Sequence, residues 1–160
     1  MFDAPVQLRP EVVSQRAYQQ GKPAPDNSFK LSSNELPFPL LEEVIAAASD
    51  VSATNRYPDA SCSAVREALG EHYGLDANQV LVGAGSVSLL QQAVTSAAGP
   101  GDEVIYPWRS FEAYPGMLTH SGATGVPVAL AAHGGMDLEA IAEAVTDRTR
   151  CVLICTPNNP

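Results

Sequence analysis

The chain has 160 residues, 45% of them hydrophobic and 17% charged, which suits a globular domain with its own core and excludes a disordered segment. Its net charge of −9, with nine basic residues scattered along the chain, provides no basic stripe for nucleic acid and no attraction to an anionic membrane. No run is long enough to span a membrane, no basic-then-apolar leader opens the chain, and Cys151 and Cys155 lack the second Cys or His pair of a zinc site, so a reducing, cytoplasmic setting is expected.

The first thirty or so residues are rich in Pro, Gln and Ser, with Gly21-Lys22-Pro23-Ala24-Pro25 at the centre. Proline resists helix interiors and sheet ladders, so an extended arm is expected here, of the kind that often lies on another domain or subunit. Helical spacing after a proline start predicts a helix over 39–49. Residues 52–59 read as a polar loop. Ser61 is placed to cap a helix running to about Tyr73, with Gly74 to end it.

From there the pattern alternates. Residues 79–82 are a short apolar run, expected as a strand. Gly83-Ala84-Gly85 breaks it, and Ser86 opens a helix through Ala98. A turn at 99–102 leads to a strand over 103–106, then a helical stretch to about Thr119. Residues 123–130 predict a further strand, Asp137 caps a helix, and 150–155 predict the last strand, with Cys151 and Cys155 as buried thiols. Strands alternating with helices imply crossover units and a parallel sheet covered on both faces, an α/β fold.

The segment Val82-Gly83-Ala84-Gly85-Ser86-Val87-Ser88 joins the first apolar run to a helix. Glycines allow a sharp turn and close approach of a ligand, the first amides of the helix point outward, and Ser86 adds a hydroxyl, which together suit a phosphate. A plain tight turn with Ser86 as N-cap accounts for the same residues. A dinucleotide fold is the other alternative. Against it, Ser88 stands where the third glycine belongs, and Asp102 and Glu103 precede the second strand instead of ending it. That strand ends at Tyr106-Pro107-Trp108, and an indole suits a flat aromatic cofactor better than a ribose.

Six segments in order carry a resemblance: Leu31-Ser32-Ser33-Asn34-Glu35 with Pro37; Asn55-Arg56-Tyr57-Pro58-Asp59; Gly83-Ala84-Gly85-Ser86; Pro100-Gly101-Asp102-Glu103-Val104; Phe111 with Tyr114; and Thr156-Pro157-Asn158-Asn159-Pro160. Across residues 18 to 160 the chain resembles the fold-type I, pyridoxal-phosphate-dependent aminotransferases, in the branch of histidinol-phosphate and aromatic amino acid aminotransferases. The resemblance implies a three-layer α/β sandwich with a mostly parallel sheet. It implies an arm and small-domain segment over 1–36 and the first part of the large cofactor-binding domain over 37–160.

The resemblance also assigns roles. Gly85, Ser86 and the Val87 backbone would hold the phosphate of pyridoxal 5′-phosphate, Trp108 would stack on its ring, and Asn159 would donate to its phenolic oxygen. Tyr57 would reach the phosphate in the neighbouring subunit, which implies a homodimer. Tyr18, Asn34 and Tyr114 match positions near the pocket for amino acid and 2-oxo acid substrates. Each has a structural rival: Trp108 as a core residue, Tyr57 fixing a turn before Pro58, Asn158-Asn159-Pro160 as an ordinary turn, Tyr18 packing the arm.

No catalytic residue is expected in this chain. The Schiff-base lysine of the family, the Asp that pairs with the pyridine nitrogen and the Arg that binds the substrate carboxylate would lie beyond Pro160, and Lys22 and Lys30 match no such motif. The chain alone is therefore expected to be inactive. Leu36, and the stretches 85–92 and 108–112, resemble actinobacterial aromatic amino acid enzymes more than histidinol-phosphate enzymes, which stay as the alternative. A dinucleotide-dependent oxidoreductase and a cofactor-free interaction domain are the readings from other classes.

Overall fold

The structure is a computed structural model that describes residues 7–16, 25, 27–31 and 34–159; Tyr18, Lys22, Ser32, Ser33 and Pro160 lie outside the described residues. In chain order the elements are α1 (Pro10–Ser14), α2 (Glu42–Ser49), α3 (Ser63–Tyr73), a 3-10 turn (Ala77–Gln79), α4 (Gly85–Ala97), β1 (Glu103–Trp108), α5 (Tyr114–Ser121), β2 (Thr124–Ala129), α6 (Leu138–Glu143) and β3 (Thr149–Val152). They form two compact units, Arg16–Ala77 and Met1–Gln15 with Asn78–Pro160.

In the unit Arg16–Ala77, α2 buries none of its residues and leaves Val44 and Ile45 about half exposed. Helix α3 does not start on Ser61 as expected. Asp59 captures its first amides, accepting from the N–H of Ser61 at 2.9 Å and of Ser63 at 2.8 Å. Both residue types cap well, and the carboxylate reaches further than the hydroxyl. The end of α3 is as expected: Gly74 takes a left-handed φ of 67°, and Leu75 N–H returns to the Gly70 carbonyl at 2.8 Å. Gly70 is buried because the chain folds back on it, and a Cβ there would stand 2.7 Å from the Leu75 carbonyl oxygen.

The second unit holds the sheet. Strand β1 is central and pairs in parallel with β2 on one side and β3 on the other, giving the order β2-β1-β3. Its residues alternate between two cores. Val104 and Tyr106 pack with Val94 of α4 and with Tyr114, Met117 and Leu118 of α5. Ile105 packs with Val128 of β2 and Ile141 of α6. Helices therefore cover both faces of an open parallel sheet, as crossover connections require. Asp137 caps α6 as expected, accepting from Ala140 N–H at 2.9 Å.

The expected strand at 79–82 is not formed. Gln79 ends the 3-10 turn, 80–83 carry no strand pairing, and Leu81 is 68% exposed. An apolar run becomes a strand only with a neighbour to pair with, and the three-stranded sheet does not take this one up. The thiols also differ from expectation: Cys151 and Cys155 are free and half-buried, as is Cys62. Helix α1 lies on α5, where the Arg9 guanidinium donates to the carbonyls of Thr119 and His120 at 2.8 and 2.9 Å, closing the C-terminal end of α5.

Candidate functional site

The turn 98–102 reverses the chain between α4 and β1, with Gly99 N–H bonded to the Asp102 carboxylate at 3.0 Å. A thirteen-residue helix and a six-residue strand are both about 20 Å long. Val94 of α4 shares a core cluster with Val104 and Tyr106 of β1, and a helix of that length running back from the turn would bring its first turn toward the C-terminal end of the strand, the end of a parallel sheet where ligands bind.

At that helix start Gly85 has φ 79°, and Gly85 N–H turns back to the Gly83 carbonyl at 2.8 Å. A side chain at Gly83 would meet Leu89 at 2.8 Å and Ser88 at 2.9 Å, whereas nothing lies within 4 Å of a Cβ at Gly85. The space over Gly85 is open. No side chain caps α4, because Ala84 precedes it and Ser86 lies inside the first turn, so the N-cap reading of Ser86 is not realised. Ser88 turns its hydroxyl to the Gly85 carbonyl at 2.9 Å. Ser86 and Val87 are exposed. Uncapped amides, a hydroxyl and the positive end of a helix dipole form a donor set for an anion with several acceptor oxygens, such as a phosphate.

Strand β1 ends in aromatics. Trp108 is half-buried, edge-on to Tyr106 with centroids 6.1 Å apart, and packs, as Leu90 of α4 does, against the core that holds Val104 and Tyr106. The Arg109 guanidinium lies 4.7 Å over its ring. Phe111 is a second half-buried ring, edge-on to Tyr114 at 5.6 Å. Tyr114 itself is 3% exposed and belongs to the core. Burial pushes its phenol pKa up, and the neighbouring Cys155 sulfur adds to this.

The segment after β3 reaches the same end. Leu153 N–H extends the ladder to the Ile105 carbonyl at 2.8 Å. Beyond it, Asn158 accepts from the buried Ser110 hydroxyl at 2.7 Å and donates to the Arg109 carbonyl at 3.0 Å. Asn159 follows, half-buried. The segments after β1 and after β3 are thus tied together through Ser110 and Asn158, with Trp108, Tyr114 and Asn159 on them, while Gly85, Ser86 and Val87 lie at the start of α4 in the same unit. The sequence did not single out Ser110, and no local signal marks it: its burial and its partner arise only in three dimensions. Tyr57 and Asn34 belong to the other unit. Tyr57 is fully exposed on the turn over 51–58, and Asn34 has a left-handed φ of 50°. Among the described residues, no group of three or more His, Cys, Asp or Glu could hold a metal, and no helix is long and apolar enough to cross a membrane.

An open parallel α/β sheet with an uncapped helix start and a central strand ending in aromatic rings suits the folds that hold a cofactor at the sheet's C-terminal edge, and comparison with known proteins narrows the class. The family profile "Aminotransferase class I and II" matches residues 26–160. An aromatic amino acid aminotransferase of Streptomyces avermitilis is 46% identical over all of this chain and 46% of its own length. That of Cutibacterium acnes is 49% identical over 89% of this chain and 41% of its own. Among solved structures, a Thermus thermophilus aspartate aminotransferase tetra mutant superposes with a TM-score of 0.75 at 25% identity, covering 96% of this chain and 43% of that one. N-succinyldiaminopimelate aminotransferase of Mycobacterium tuberculosis gives 0.60 at 30% identity, covering 74% and 34%. The chain belongs to the aminotransferase class I and II family, and it spans less than half the length of these relatives.

Proposed function

We propose that this chain provides the phosphate-binding end of a pyridoxal-phosphate-dependent aminotransferase that takes the amino group from an aromatic amino acid and passes it to a 2-oxo acid. What carries this reading is the uncapped start of α4, with open space over Gly85, in a unit whose central strand ends in aromatic rings. The names of the 43–50% identical relatives support the substrate class.

The residues present fit the cofactor. Its phosphate needs several donors, and Ser86 with the first amides of α4 supplies them where the space over Gly85 is open. Its ring needs a flat apolar neighbour, and Trp108 supplies one; Phe111 is the other ring at this strand end. Asn159 is the amide for the phenolic oxygen. Bound there, pyridoxal phosphate would supply the electron-withdrawing ring that lets an amino acid lose its α-proton. This chain's residues bind and orient it. Tyr114 would form part of the wall behind the substrate, and Asn34 and Tyr18 are assigned to substrate by the family resemblance alone.

Tyr57, fully exposed on its turn, reaches the phosphate of a second subunit in this reading, so the working enzyme is a homodimer. The free thiols suit a reducing cytoplasm. Covalent attachment of the cofactor needs a side-chain amine, and this chain has two lysines. They are Lys22 and Lys30, neither in a segment that resembles the family's Schiff-base motif, and Lys30 is ion-paired with Glu35. The 160-residue chain by itself therefore does not turn over.

The test is transamination by the full product of the gene. Phenylalanine or tyrosine is expected to exceed histidinol phosphate by roughly tenfold or more in kcat/KM, ~1.4 kcal/mol in transition-state binding. A preference for histidinol phosphate moves the enzyme to the other branch. Turnover by the 160 residues alone overturns the division of labour.

A further inference from the structure

We infer that Ser110 and Asn158 form a positioning pair that sets the spacing between the aromatic end of β1 and Asn159, and so shapes the ring half of the site; this rests on the cofactor reading above. Ser110 is 0% exposed. A hydroxyl enclosed to that degree needs a partner, and its partner is 48 residues away in sequence, the Asn158 side-chain oxygen at 2.7 Å. The same amide returns its N–H to the Arg109 carbonyl at 3.0 Å. Both hydrogen-bonding groups of one side chain are thus spent on two consecutive residues of the other segment.

The pair sits where backbone pairing has ended. Strand β1 stops at Trp108 and β3 at Val152, and the last ladder bond is that of Leu153. Beyond those points the two segments would diverge, each free to take its own path. The Ser110–Asn158–Arg109 bonds replace the missing ladder. On one side of them are Trp108, immediately before Arg109, and Phe111, immediately after Ser110. On the other is Asn159, immediately after Asn158. The Tyr114 hydroxyl lies beside Ser110 and Cys155, so the buried serine is enclosed from α5 as well. The proposed phosphate donors Gly85, Ser86 and Val87 belong to a different element, the start of α4.

That separation makes the inference testable. Trp108 is the one tryptophan of the chain, so intrinsic emission reports on this strand end alone. Pyridoxal phosphate is titrated into the chain and into Ser110→Ala, Asn158→Ala and the double variant, and inorganic phosphate is measured by competition. Each single variant is expected to bind pyridoxal phosphate about tenfold more weakly, with phosphate affinity unchanged and the double variant no worse than the singles. Unchanged pyridoxal phosphate binding, or an equal loss for both ligands, overturns the inference. The cofactor reading fails if the full product of the gene does not bind pyridoxal phosphate; if only the parent chain does not bind it, the pair is judged by acrylamide quenching of Trp108. Greater accessibility in both variants supports the pair, and no change overturns it. Circular dichroism checks each fold. Should Ser110→Ala not fold, Ser110→Cys keeps a weaker donor of similar size and is expected to fall between parent and Asn158→Ala; parent-like behaviour in it overturns the inference.

Discussion

Asp59 holds the start of α3 through Ser63: one carboxylate oxygen accepts both the backbone N–H of Ser63 at 2.8 Å and its hydroxyl at 2.5 Å. Its other oxygen takes the N–H and hydroxyl of Ser61. These bonds, the Ser61 hydroxyl first, hold the Asp59 carboxyl well below the usual carboxylate range. Asp59→Ala is expected to reduce the helical signal of the chain and lower its melting temperature by a few degrees, whereas Asp59→Asn, which keeps an acceptor, retains part of both. Because the folded pKa is depressed, the contribution is present above the unfolded pKa and is lost as pH falls through the folded one. The difference between parent and Asp59→Ala, followed by circular dichroism, therefore persists through mildly acidic pH and closes only at strongly acidic pH.

A second carboxylate does similar work at the opposite end of β1 from Trp108. Glu103 is 7% exposed, accepts from the Thr146 hydroxyl at 2.6 Å and pairs with the Arg148 guanidinium. The Thr146 hydrogen bond, then that of Arg148, lowers its pKa. The sign is the same: the stabilisation is full above the ordinary glutamate range and disappears as pH falls through the folded pKa. Glu103→Gln is expected to melt lower than the parent at neutral pH and alongside it at low pH. Ligand binding at the far end of the strand is unaffected. A constant gap across the pH range would rule this out.

The contrast between what could and could not be read from the sequence follows the range of the interaction. Gly74 and Asp137 were legible because a helix end is settled within four residues, and both do what their types do. The alternation of strands and helices after residue 100 was legible because each strand is an apolar run between turn residues. The run at 79–82 was misread because apolar character signals burial or pairing, and pairing needs a partner that the run itself cannot specify. Helix α3 begins at Ser63, with Cys62 and not Ser61 at the cap position, and the Asp59 carboxylate accepts from the Ser63 amide while Ser61 itself donates to Asp59. At the candidate site the glycine loop, Trp108 and Asn159 were all visible as residue types. Ser110 was not, since a serine after an arginine looks like any loop serine until its partner is brought up from position 158. Arg109 over Trp108 was equally invisible, as such stacking depends on side-chain direction.

Gly125 in β2 fits a gap of its own size. A Cβ there would stand 2.8 Å from Leu118 Cδ1 and 3.1 Å from Tyr106 Cε1, both in the α4–α5 core and nearly buried. Alanine is ordinarily better than glycine within a strand, since it loses less backbone entropy. Here the added methyl must push a packed leucine, and overpacking of this kind costs about 1–3 kcal/mol. Gly125→Ala is therefore expected to lower the urea midpoint of the chain. An unchanged or higher midpoint would mean that Leu118 turns aside at little cost and that the gap is not tight.

Two rings end β1, and they make separable predictions for the ring of the proposed cofactor. Arg109 lies over one face of Trp108 at 4.7 Å, so a flat ligand stacking on that face must displace a guanidinium. Phe111 has no such cover among the described contacts, and its ring meets Tyr114 edge-on. If Trp108 is the stacking ring, Trp108→Leu weakens pyridoxal phosphate by roughly two- to tenfold, the value of one aromatic contact of about 0.5–1.5 kcal/mol. Arg109→Ala then strengthens it, because the competing cation–π contact is gone. Phe111→Leu has little effect in that case. If Phe111 is the stacking ring, the two aromatic substitutions exchange their outcomes and Arg109→Ala is neutral. Binding of pyridoxal phosphate, read by its own absorbance so that the loss of Trp108 does not remove the signal, separates the two, and the Trp108 assignment stands only if the arginine variant binds more tightly.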